Sequence, residues 1–144
     1  MTTLQPLDLP AVGGDWASWF SARCDDQLER ARDLVQRLKA AAPTNGLEAL
    51  ALWNDVNLAL ANAFAVASLM AEVHPEEAVR TRAETAEQEA NRLLTEIGQD
   101  RELYEVLAAV DSSRLDEPGA RVLELSLRDF RRAGVDQDDD VRKR

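Results

Sequence analysis

The chain has 144 residues, 45% hydrophobic, 31% charged and 5% aromatic, with a formal net charge of −10. This balance is that of a globular protein rather than a disordered or membrane one and argues against a nucleic-acid partner, whose phosphates are bound by lysine and arginine displacing counterions. A single domain of this length buries roughly 68–70% of the surface of its unfolded chain, so a real core is expected.

Alanine, leucine, glutamate and arginine are abundant, whereas tyrosine, isoleucine and threonine are scarce. Local propensity therefore favours helix along nearly the whole length, and the fold class expected is all-α, a single compact array of about five to six antiparallel helices. The lone Cys24 can form no internal disulfide, and the N-terminal MTTLQPLDLP has neither a basic n-region nor an apolar h-region. Cytoplasmic localisation is the expectation.

Residues 1–15 carry Pro6, Pro10 and the Gly13-Gly14 pair and are expected to lie extended against a helical domain over 16–144. Asp15 caps the first helix. Its apolar residues Trp16, Phe20, Cys24, Leu28, Ala31, Val35 and Leu38 recur at steps of four and three, which keeps them on one face. On the other face Asp26 with Arg30 and Asp33 with Arg37 stand at i,i+4 and mark the solvent side, each pair adding only ~0.2–0.5 kcal/mol.

Pro43-Thr44-Asn45-Gly46 breaks that helix, and Asn45 with Glu48 forms a capping pair for the second. The second helix spans about Leu47 to Val73 and is the core element, buried on most sides by its neighbours. Its uncharged run VNLALANAFAVASLMA, Val56 to Ala71, falls short of the ~20 apolar residues of a membrane span, so no membrane partner is expected. Pro75 disfavours helix at His74 and suits the first turn of the third helix, where Glu76 and Glu77 complement the dipole.

In the third helix Val79, Ala83, Ala86, Ala90, Leu93 and Ile97 form a narrow seam for a close antiparallel neighbour, and Gly98 ends it. A fourth helix around Arg101 to Val110 presents Leu103, Leu107 and Val110, and Asp111-Ser112-Ser113 makes a turn. Asp116 caps the fifth helix, which turns Leu123, Leu127 and Phe130 inward. It closes with Arg131, Arg132, an αL Gly134 and Val135 packing back. Asp138 and the acids after it read as the cap and first turn of a further helix, which Arg144 would cut after barely two turns, so the polypeptide is expected to continue.

No catalytic, cofactor-binding or metal-ligating residue is assigned. His74 is the only histidine and has no local second ligand at a spacing zinc prefers, so a junction role is expected. Cys24 lies on an apolar face where a small hydrophobe is expected. Asp136, Asp138, Asp139 and Asp140 lack the glycine and distal glutamate of a calcium loop, and capping explains them. Other carboxylates fall on solvated helix faces, and no phosphate loop, nucleophile elbow or HExxH is present. Asn57 and Asn62, in the apolar second helix, are expected to be buried amides that fix how helices meet, or else a contact to another domain.

The segments LWNDVNLALANAFAVASLMAEVHPEEAVRTRAETAEQE, DRELYEVLAAVD and RVLELSLRDFRRAGVD resemble the N-terminal helical region of the thimet oligopeptidase-like zinc metallopeptidases. The resemblance runs from about Trp16 onward, and its most specific pieces are VHPEEAVR at Val73 to Arg80 and LRDFRRAGVD at Leu127 to Asp136. It implies an almost wholly helical enzyme in two halves around a channel that admits short peptides. Zinc would be held in the C-terminal half by a His-Glu-x-x-His helix and a later glutamate, none of which is in this chain. The expectation is thus a non-catalytic channel-wall domain, inactive alone, whose partner is the catalytic remainder of the same polypeptide. The alternative is a freestanding helical interaction module; a domain cut from its enzyme would expose an unmatched apolar face and tend to self-associate, whereas an evolved module would be well behaved at high concentration.

Overall fold

Twenty-six residues free of proline and glycine follow Asp15 and form one helix, α1 at Trp16–Ala41, in the computed structural model of the chain, which describes residues 9–11, 13–41 and 45–135. The expectations for Pro6, Pro43, Thr44 and the acids Asp136, Asp138, Asp139 and Asp140, and for a helix begun there, lie outside the described residues. Four more α-helices follow: α2 at Gly46–Val73, α3 at Glu77–Gly98, α4 at Arg101–Ala108 and α5 at Glu117–Arg132, with a 3-10 turn at Ser112–Arg114 before α5. No strand occurs among the described residues, and the fold is all-α.

The helix ends follow local chemistry. Asp15, Asn45, Asp100, Asp111 and Asp116 each accept a backbone N–H at a helix start, at 3.0–3.1 Å, satisfying donors that the first turn leaves orphaned. The Ser18 bonds hold the Asp15 carboxyl below its ordinary value, and those from Ser113 do the same for Asp111. At the end of α5, Gly134 takes φ 86°, Gly134 N–H donates to Arg131 O and Val135 N–H to Phe130 O, at 3.0 and 3.2 Å. Those two bonds complete a Schellman ending, and Val135 is fully buried beneath it.

The expected start of α3 needs correcting. Pro75 and Glu76 precede the helix, Glu76 is its N-cap without a side-chain cap bond, and Glu77 alone lies in the first turn. His74 supplies the missing cap, accepting the Glu76 N–H on Nδ1 at 3.2 Å, while Arg80 donates to the carbonyls of His74 and Pro75 at 2.8 and 2.9 Å.

The order of contacts along the helices sets the topology. Trp16 meets His74, with ring centroids 5.2 Å apart, and Cys24 Sγ lies 3.9 Å from Ala63 O, so α1 and α2 are antiparallel. Asp25 pairs with Arg82 and Lys39 with Asp100, so α1 and α3 run parallel on the same side of α2. Close approach is possible because the seam of α3 is rich in alanine: Val79, Ala83, Ala86, Ala90, Leu93 and Ile97 are all buried, against Ala59, Ala63 and Ala67 among the buried residues of α2.

Two apolar clusters result. The smaller, around Phe20, Cys24, Met70 and Ala83, fills the end nearest Trp16. The larger gathers Leu28, Leu34, Leu38, Leu93, Leu103 and Phe130, where α4 and α5 close the other end. Leu34 joins the expected stripe of α1 as a buried residue. Gly46 permits a tight approach here: a Cβ on it would meet Val110 Cγ1 at 2.8 Å and Leu115 Cδ2 at 3.0 Å, so the connection into α5 packs onto the bare start of α2.

Charged residues hold the edges. Asp26, Arg30, Asp33 and Arg37 are exposed as the pattern requires, but among the described residues neither i,i+4 pair forms an ion pair; an exposed pair gains too little to hold two long side chains in register. Lys39 instead bridges to Asp100 and to Glu102, the latter at 3.3 Å. Burial opposes its charge, but the two carboxylates outweigh that and hold Lys39 above its ordinary value of 10.5. A raised lysine stabilises fully below its unfolded value and loses that contribution as pH rises through its folded value. Lys39→Met is therefore expected to cost about 1 kcal/mol at pH 7 by urea titration, a deficit that shrinks on raising the pH past 10.5. An unchanged deficit at the most alkaline pH the fold survives would contradict this account of the bridge.

Burial pushes the Cys24 thiol up to about 11, so little thiolate exists near neutrality. Native Cys24, fully buried and with little thiolate, is expected to react with a disulfide reagent at pH 8 at least roughly 10-fold slower than in denaturant. Prompt stoichiometric labelling of the folded chain would show that the α1–α2 seam opens readily.

Candidate docking cleft

The second helix differs from its expectation in what covers it. Ala49, Leu50, Val56, Ala59, Leu60, Ala63, Ala67 and Met70 are buried, but Leu47, Phe64, Leu69 and Val73 are 39–63% exposed. Only 33% of its most apolar 18-residue window is buried. The neighbours α1 and α3 occupy one side, and the opposite side has no charged residue between Asp55 and Glu72. A helix on the surface of a soluble domain ordinarily carries its charges there.

By length and composition α2 is long and apolar enough to cross a membrane, although the run Val56 to Ala71 alone was expected to fall short. The helix continues past that run at both ends. Length and composition describe equally a core helix of a soluble protein, and α2 buries one side against two amphipathic helices.

Asn57 and Asn62 are not the buried amides expected. Asn57 is exposed and its Nδ2 donates to Trp53 O, one turn back on its own helix, at 2.8 Å. Asn62 is half-buried and makes no hydrogen bond to another helix among the described residues. The buried side of α2 is centred on Val56, Ala63 and Ala67, and at 100° per residue both asparagines point well away from it.

Beside this face lies a cleft of about 680 Å³ between α2, α3 and α5, lined by Trp53, Leu94, Ile97, Val122 and Phe130 with Asn57 at its edge. A smaller pocket of about 270 Å³ adjoins it through Asn57 and Leu94 and is walled by Phe64 and Ala61. In the larger cleft Leu94 of α3 and Val122 of α5 stand 53% and 48% exposed. One charged residue lines the cleft, Asp129, and Arg128 and Arg132 lie 3.3 and 3.8 Å from its carboxylate.

The floor is rigidly built. Trp53 Nε1 donates to Ser126 Oγ at 2.9 Å, tying α2 to α5. Its ring lies 5.3 Å from that of Phe130, which in turn sits 6.0 Å from Tyr104. The indole N–H and one Asn57 N–H are thus spent inside the protein; Asn54, Thr95 and Gln99 also line the cleft, so it offers an occupant apolar contact bordered by a few polar groups. Such a surface suits the apolar ridge of another helix better than a small polar molecule.

Other candidate groups do not gather into a reactive set. His74 is 7% exposed and capped into the α2–α3 junction. Cys24 is fully buried, and among the described residues no group of three or more His, Cys, Asp or Glu stands close enough to hold a metal ion. Arg23 Nε is buried without a hydrogen-bond partner, its guanidinium 6.0 Å from the Trp19 ring centroid. The cation–π contact offsets part of that loss.

Comparisons with protein-family models, with curated proteins and with solved structures find no match to this chain. The class defined by fold and site together is an all-α domain with an apolar cleft open to solvent among its described residues.

Proposed function

We propose that this chain is the non-catalytic N-terminal domain of a zinc-dependent oligopeptidase, forming part of the wall of a channel that admits short peptides and acts on them in the cytoplasm. Zinc and the catalytic groups belong to the remainder of the same polypeptide, and the α2–α3–α5 cleft with the adjoining face of α2 is where that remainder docks. The observation that carries the reading is this cleft: a preformed apolar surface with a single, ion-paired charge, set beside an uncharged helix face of a chain whose net charge is −10. Contiguous exposed apolar surface of this kind marks an interface. The resemblance supplies the identity of the parent. Its piece VHPEEAVR falls on the His74-capped junction of α2 and α3, and the described part of LRDFRRAGVD falls on the end of α5 that walls the cleft.

The test is immunoprecipitation from source cells with an antibody raised against this domain. The precipitate is expected to cleave short peptides, to spare folded proteins, and to lose activity on zinc chelation and regain it when zinc is restored. Precipitates without chelator-sensitive peptidase activity would overturn the reading. The same cleft also serves a second reading, a freestanding module that docks another protein. Light scattering of the purified chain separates the two: concentration-dependent association is expected of a domain cut from its parent, and a monodisperse monomer at high concentration would favour the module.

A further inference from the structure

We draw no further inference here: the strongest candidate, the apolar cleft between α2, α3 and α5 with the uncharged outer face of α2 beside it, already carries the proposed function, and nothing in the structure shows what covers it.

Discussion

Replacing Phe130 with alanine is expected to destabilise the chain by about 3–5 kcal/mol, the cost of deleting a buried aromatic ring. Domains of this size are stable by about 5–15 kcal/mol in total, so the loss would be a large share of the fold. Two ring contacts make the position sensitive. The ring is 3% exposed and lies against both Trp53 and Tyr104. Removing it leaves a void where α2, α4 and α5 meet. Urea titration followed by tryptophan emission and far-UV circular dichroism measures the loss, and Phe130→Leu should recover more than half of it. A deficit below 1 kcal/mol for the alanine variant would mean that α5 is not held through this ring.

The second large effect distinguishes an open surface from a docking site. Leu94→Asp combined with Val122→Asp places two carboxylates on walls that are about half exposed in this chain. Surface substitutions of this kind ordinarily change stability by less than about 0.5 kcal/mol, and urea titration of the isolated chain should show no more than that per site. On the proposed reading the same pair in the larger polypeptide would be covered on docking. An unpartnered buried charge there is expected to cost about 3–5 kcal/mol, read as a lowered melting temperature and lost peptidase activity. Equal, small effects in both contexts would mean that the cleft faces water in the parent as well.

Most of the fold was legible because several local signals agreed at each helix end. Asp15, Asn45 and Asp116 stand where caps are expected, and each accepts a first-turn backbone N–H, although Asn45 takes that of Leu47 in place of the expected pairing with Glu48. The α3 seam was read from spacing alone, and all six of its residues are buried. The ending of α5 follows from one glycine followed by one valine.

The cleft was not legible, and α2 shows why. Periodicity identifies a buried face by contrast with a polar one, and a helix apolar on every side gives no contrast. Its pattern therefore implies more burial than the helix has, and Asn57 and Asn62 lie toward the outer side instead of inside. Trp53, Leu94 and Val122 escaped notice for a related reason. They stand beside the stripes of three different helices, and only the packing of α5 across α2 brings them together. The bridge from Lys39 to Asp100 was equally invisible, since it joins residues 61 positions apart. The corrected start of α3 has a local cause: the His74 ring caps the Glu76 N–H, a part that residue statistics do not assign to histidine.

The most direct test of the central claim is the size of the native polypeptide in its source cells, read on a denaturing gel with an antibody raised against the described helices. The account predicts a single band several times larger than the 16.0 kDa of this chain, because the cleft is proposed to be covered by further segments of the same polypeptide. A single band near 16.0 kDa would contradict it and leave the cleft as the docking surface of a small freestanding protein.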